Sequence, residues 1–293
     1  MQEILKQISE IPCVNGSEFR LSEYLKEHFD KKGFFVEVDQ GRNLLIQKSK
    51  NTDPEYVLFT PMDSPGYLCL YKEGDCAYLT ETSSNLKGLE AVEHVKDFRG
   101  KIHKLKKEKN RSDFLYIKSK NTTVGSAFAL SGDFFIDDRY AIGWNSARYT
   151  CIATTVKLIE ALENPKIAVC FTAGFNSGSK AESNVLTRTQ NAKAILLGFC
   201  EEKSDLPILL IKDGKHFASP SMNKDFMDFC HSNDFCFLSK VSNKAVTAAE
   251  RTISRKGNII SLALPCTSAL SEKEATSLHA AKELFSFFKT FFK

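Results

Sequence analysis

The 293-residue chain has one tryptophan, four methionines and eight prolines, and no apolar run reaches the eighteen or so residues that a membrane-spanning helix needs. It also lacks an excess of either charge. Its 40 basic and 36 acidic residues leave a formal +4, too near balance to imply nucleic acid or a membrane surface as a partner. The opening MQEILKQISE interleaves charges with apolar residues at helical spacing, and without an unbroken apolar core it reads as neither a signal peptide nor an anchor. Nine cysteines, odd in number and scattered, several of them inside apolar runs, do not make a disulfide framework or a zinc cluster. They read as buried thiols of a reducing cytoplasm. The six histidines show no HExxH or other ligand spacing, and no G-x-S-x-G elbow accompanies the serines near glycine, so zincin and serine-hydrolase motifs are both missing. There is no repeat, low-complexity tract or long linker. What remains, 42% hydrophobic and 26% charged, is the composition of a globular chain with one large domain, or one plus a smaller one.

The most structured stretch is Ile142 to Glu182, IGWNSARYTCIATTVKLIEALENPKIAVCFTAGFNSGSKAE. Asn145 or Ser146 can cap a helix there. Ile152, Val156 and Ile159 recur at helical spacing, and Asn164-Pro165 stops the element. Ile167 to Ala173 is then a continuous apolar run, as expected of a strand covered on both faces. In an open α/β sheet, ligands bind at the carboxyl ends of the strands, which makes Phe175 and Asn176 residues at a catalytic address, though neither is a catalytic type.

Upstream, Ser17 to Lys32 reads as an amphipathic helix ending at Gly33, Phe34 to Val38 and Leu44 to Gln47 as strands, and Tyr56 to Thr60 as a buried strand delivering PMDSPG. From Tyr67 to Gly143 short β-like runs alternate with polar stretches, with a helical repeat only around Leu89 to Val95; this reads as a small β-rich insertion. The α/β pattern then resumes, with strands near Ala194 to Leu197, Ile208 to Ile211, Phe235 to Ser239 and Ile259 to Leu264. Helices are expected over Ser221 to His231, Val246 to Arg255 and Glu272 to Phe292. The basic run Lys101 to Arg111 reads as a solvated hairpin. The stripe Leu278, Ala281, Phe285, Phe288 and Phe292 reads as a helix face packed on the sheet.

In order and spacing, IPCVNGSEFRLSEYLKEHF, GRNLLIQKS, YVLFTPMDSPG, RYAIGWNSARYTCIATTVKLIEAL, IAVCFTAGFNSGSKAE and GNIISLALPCTSALSEKEATSLHAAKELFSFF resemble the glutamyl, deblocking and tetrahedral aminopeptidases, a family that includes proteins labelled endoglucanase or cellulase M. The resemblance covers nearly the whole chain. It implies a three-layer αβα sandwich of the zinc aminopeptidase type, formed by residues 1–66 and 143–293, with a small inserted β-rich domain at 67–142 that serves oligomerisation. It also implies two divalent ions, zinc or cobalt, held by histidines and carboxylates, with a glutamate as general base.

Carried over residue by residue, that site is absent. The ligand histidine falls on Pro61, while Asp63, whose role in the family is to orient it, is kept. The metal-bridging aspartate falls on Ser146, in Ser146-Ala147-Arg148. The general-base and ligand glutamates fall on Phe175 and Asn176, the next strand's aspartate on Gly198, and the last histidine on Leu270. Asp137-Asp138-Arg139 has the missing bridging motif's sequence but lies nine residues too early, before the strand that should precede it, and reads as a solvated turn.

The expectation is therefore a cytoplasmic pseudo-peptidase with a binding, structural or regulatory role and no cofactor, forming a homo-oligomer through the insertion, with a peptide as the ligand class the resemblance implies. Its rivals are a divergent metallo-aminopeptidase or other hydrolase acting on peptide N-termini, and a non-catalytic subunit of an active paralogue. In the vestigial site, Phe175→Glu is expected to bury a carboxylate with no cationic partner.

Overall fold

A computed structural model describes residues 1–82, 92–108, 111–175, 178–189, 192–252 and 258–293. The chain begins with helices α1 (Gln2–Ser9) and α2 (Phe19–Asp30), followed by strands β1 (Phe35–Val38), β2 (Leu44–Gln47) and β3 (Tyr56–Pro61). Seven strands then form a separate sheet: β4 (Gly66–Glu73), β5 (Cys76–Glu81), β6 (His94–Asp97), β7 (Ile102–Lys104), β8 (Lys106–Glu108), β9 (Arg111–Lys118) and β10 (Ala127–Leu130). The chain returns to the first sheet with β11 (Phe135–Ile136) and β12 (Tyr140–Ile142), then α3 (Ser146–Ala161), β13 (Ile167–Thr172), α4 (Ala181–Arg188) and β14 (Lys193–Glu201). It closes with β15 (Ile208–Asp213), β16 (His216–Phe217), α5 (Pro220–Ser232), β17 (Leu238–Ser242), β18 (Ile259–Thr267), β19 (Ala275–Ser277) and α6 (Leu278–Phe291).

The larger sheet has a parallel centre, β13-β3-β14-β18, with antiparallel strands added on both sides. Alternate residues of each central strand face opposite ways. Leu58, Val169, Phe171, Ile195, Leu197, Ile260 and Leu262 pack under α1, α2, α3, α5 and α6, whereas Val57, Phe59, Ala168, Cys170, Ala194, Leu196 and Ile259 meet Val185 of α4 and Ala249. The result is the expected three-layer αβα sandwich. Helix α3 is buried on nearly every side, with thirteen of its sixteen residues inside. It satisfies its polar side chains locally: Thr150 Oγ1 donates to the Ser146 carbonyl at 2.7 Å, and Thr155 shares a 2.7 Å hydrogen bond with Thr60 of β3.

The smaller sheet runs in the order β7-β6-β10-β4-β5-β9-β8. Its two edge strands are joined by the single buried residue Leu105, so the sheet curls back on itself around Tyr67, Val95, Ile117 and Phe128. By sheet membership the insertion ends at Leu130, earlier than the Gly143 read from the sequence, because β11 and β12 pair with β19 and with each other.

Several elements differ from expectation. His94 and Val95 lie in β6 and are not helical; residues 89–91 of that expected helix are outside the described region. The basic run is not one hairpin. Its strand β7 pairs with β6 and β8 pairs with β9, although its Lys101, Lys104, Lys106 and Lys107 are exposed as expected. Strand β17 starts at Leu238 and not at Phe235, because Phe235 and Phe237 turn to pack edge-on against Phe287, with ring centroids 5.4 and 5.0 Å away. The expected helix at Val246 to Arg255 is only a short 3-10 turn, Ala249–Arg251, with residues 253–257 outside the described region. Its entry is held by Asp213, which accepts from the Val246 amide at 2.6 Å and from the Thr247 amide at 3.1 Å. Helix α6 begins at Leu278, not Glu272. Ala275–Ser277 form β19, and Ser277 Oγ caps α6 by accepting from Ala280 N.

Candidate functional site

Strands β3 and β13 run in parallel register to Thr172 opposite Pro61, and the Met62 amide donates to the Thr172 carbonyl at 2.7 Å. Both strands therefore stop at the same level and deliver their loops to one place, the carboxyl edge of the parallel sheet. The turn after β13 is held by three side chains. The amide of Ala173 donates to Asn43 Oδ1 at 2.8 Å, that of Gly174 to Glu18 Oε1 at 2.9 Å, and that of Phe175 to Asp63 Oδ1 at 2.8 Å. Asp63, fully buried, thus fixes the Phe175 backbone, with a proline at position 61 where a histidine would need orienting. Burial pushes the Glu18 carboxyl up and the nearby Asp63 adds to that, against the Gly16 and Gly174 amides, which favour the charged form. Asn176 lies outside the described residues.

The second side of the site is the start of α3. Asn145 occupies the N-cap position in the left-handed region (φ 61°) and makes no side-chain cap; Ser146 is already helical. Capping comes from 127 residues downstream, where the Glu274 carboxylate accepts from the Ala147 amide at 2.8 Å. It also accepts from Ser146 Oγ at 3.3 Å and from the Leu270 amide at 2.8 Å. Leu270, also left-handed at φ 60°, is thereby tied to Ser146 through one carboxylate. Removal from water pushes the Glu274 carboxyl up, partly offset by these donors and by the charge of Arg148.

Between the two sides lies Arg148, only 4% exposed. Its guanidinium carbon sits 5.1 Å from the centroid of Phe175 and 5.0 Å from that of Phe199, a cation held between two rings. Its Nε is buried without a partner, and among the described residues it makes no ion pair. Gly198, next to Phe199, does not end its strand: β14 leaves β3 after Leu196 but keeps pairing with β18 to Glu201. The backbone of Val246 and the Thr247 side chain cover it so closely that a Cβ would lie 2.7 Å from the Val246 carbonyl oxygen. The place where a carboxylate would project is filled by main chain.

Pro61, Asp63, Ser146, Phe175, Gly198 and Leu270 are thus connected through β3, the turn after β13, Glu274 and Arg148. The described residues do not suit a pair of divalent ions. Pro61, Phe175, Gly198 and Leu270 offer no side-chain donor, Ser146 is bonded to Glu274 and Thr276, and the carboxylates of Asp63 and Glu274 hold backbone amides. Among the described residues no three His, Cys, Asp or Glu side chains form a group that could hold a metal. Asp137 is exposed on the β11–β12 turn and accepts from the amides of Arg139 (2.7 Å) and Tyr140 (2.6 Å), which lower its pKa; Asp138 is exposed beside it. The other histidines sit elsewhere, such as His103 against Asp97 and His28 against Glu160. Glu274 carried no sequence signal, since nothing in SEKEA marks one acid as the buried one. Arg148 was visible only as part of a motif, not as a stacked cation.

A discontinuous α/β layer with a β insertion, and a site at the carboxyl edge of its parallel strands, define an aminopeptidase-type fold. No family model and no curated protein matches the chain, but solved structures do. A TET aminopeptidase from a marine-sediment thaumarchaeon superposes with a TM-score of 0.86 at 13% identity, covering 100% of this chain and 95% of that one. The TET1 peptidase of Pyrococcus horikoshii, described as assembling into a tetrahedron or a large octahedral shell, gives 0.81 at 15% identity over 99% and 98%. A Thermotoga maritima protein called an endoglucanase gives 0.79 at 15% over 99% and 96%. The chain has the fold of these aminopeptidases along its whole length.

Proposed function

We propose that this chain is a catalytically degenerate aminopeptidase, a pseudo-peptidase whose role is binding, structural or regulatory. What supports this reading above all is Arg148. A site built to hold two divalent cations has no use for a permanent organic cation in its middle, and here a guanidinium lies between Phe175 and Phe199, the first of them at the general-base position. Removing the metals from such a site without other change would leave mutually repelling carboxylates. At Pro61, Ser146, Phe175, Gly198 and Leu270 there are none.

The remaining parts of the proposal are an assembly and a compartment. The P. horikoshii relative forms large shells, and we extend a homo-oligomeric state to this chain, made through the inserted domain. Most of that domain's apolar runs are buried, Phe128 and Leu130 in its own core and Ala127 and Ala129 against Val14. Leu70 (53% exposed), Ile102 (58%) and Val124 (66%) are left outside to support a contact. Nine free thiols, seven of them buried, fit a cytoplasmic setting, and no helix among the described residues is long and apolar enough to cross a membrane.

The test is elemental analysis of protein purified without chelator, together with aminoacyl chromogenic substrates in the presence of zinc, cobalt or manganese. Neither stoichiometric metal nor turnover is expected. Turnover that disappears in Asp63→Ala would overturn the reading, and a monomer by light scattering at tens of micromolar would overturn the assembly.

A further inference from the structure

A cavity of about 940 Å³ opens at one end of the smaller sheet, between the start of α2, the β6–β7 turn and the loop that follows β9. It falls within the roughly 300–1,000 Å³ of small-molecule sites. Four cationic side chains line it: Arg99 and Lys101 from the turn, Lys118 and Lys120 from the end of β9 and its loop. None of the four makes an ion pair with a described residue.

The carboxylates in the lining do not balance them. Asp97 is committed to its own turn, its Oδ1 accepting from the amides of Arg99 (2.9 Å) and Lys101 (3.0 Å) and its Oδ2 from buried His103 (2.9 Å). Asp75 alone remains against four cations. The wall beside them is aromatic: Phe19, the first residue of α2, stacks on Phe98 with centroids 5.7 Å apart, and the Arg20 guanidinium lies 5.7 Å from the Phe98 ring. The loop is built in advance. Thr122 donates to Ser119 Oγ at 2.7 Å, the Thr123 amide to Ser126 Oγ at 3.1 Å, and the Gly125 amide to the Cys69 carbonyl at 2.8 Å. Like charges gathered around a preformed space are unfavourable unless something of opposite sign enters it.

We propose that this cavity binds a small organic polyanion, with two or more carboxylate or phosphate groups set among Arg99, Lys101, Lys118 and Lys120 and its body against Phe19 and Phe98. The positive end of the twelve-residue helix α2 adds to the same field. The site is separate from the degenerate one and does not depend on how that one is read.

Isothermal titration of the full chain at about 50 mM salt, where screening is weak, would use citrate, pyrophosphate and ADP as probes. At least one is expected to bind with a Kd of about 1 mM or below, citrate pointing to a carboxylate ligand and the other two to a phosphate. The double variant Lys101→Glu, Lys118→Glu, with both positions exposed and folding verified by melting, is expected to weaken that binding at least about tenfold. The remote pair Lys282→Glu, Lys289→Glu on α6 makes the same change in net charge and should leave it unaltered. No binding of any probe, or equal weakening in the α6 variant, would overturn the site.

Discussion

Two side chains carry the residue-scale consequences. Gly198 owes its identity to the main chain above it, since a methyl group 2.7 Å from the Val246 carbonyl must displace that segment. Gly198→Ala is expected to cost about 1–3 kcal/mol in urea unfolding, and Gly198→Asp more. Phe175 gives the opposite lesson. From sequence, a glutamate at 175 lacked a cationic partner; in the structure Arg148 lies against that ring, which corrects the expectation. Phe175→Glu should therefore exceed Phe175→Gln in stability by about 1.5–3 kcal/mol at neutral pH, the scale of a hydrogen bond to a charged group. Pairing holds the new carboxyl below its unfolded pKa. The advantage is then present above about pH 4.3 and is lost as pH falls through the folded value, which thermal melts of the two variants across the acid range would reveal.

Among the elements, α3 depends on a cap from outside its own neighbourhood. Glu274 holds Ser146, Ala147 and Leu270, and burial raises its pKa. A folded-state carboxyl with a raised pKa keeps its proton where the unfolded chain has lost it, so its contribution to stability declines as pH rises from about 4.3 through the folded value and then levels off. Against Glu274→Gln, the wild-type chain should lose stability over that window, and identical pH profiles would refute the assignment. This also explains which elements could be read in advance. Helix α2, strands β1 to β3 and the α3–β13 unit follow from local periodicity and stop signals, and they fell within a few residues of expectation. The segments at 246–252 and 272–277 did not, because their conformations are set by Asp213 and Glu274, partners that sequence order does not reveal. The site followed the same division. Pro61, Asp63, Ser146, Phe175, Gly198 and Leu270 were assigned through the resemblance to the aminopeptidases, whereas the carboxylate and the cation that connect them became visible only once the chain was folded.

For the whole molecule, the proposed loss of the metal site is tested by how the chain responds to chelator. A fold that holds ions at 100 to 1,000 times their dissociation constants loses about 3–4 kcal/mol when they are stripped, a drop of several degrees in Tm. This chain is expected to melt at the same temperature with and without EDTA, and a chelator-induced fall restored by zinc would show that its pocket still takes metal. The closure of the smaller sheet through Leu105 has a further consequence for assembly. Its outermost strands, β7 and β8, are three residues each and adjacent in the chain, so neither presents a long row of unpaired amides and carbonyls. Another copy cannot extend this sheet strand by strand, and the unit is protected against the runaway edge-to-edge stacking that leads to fibres. Any shell built through it has to grow by matching surfaces, a process that can stop.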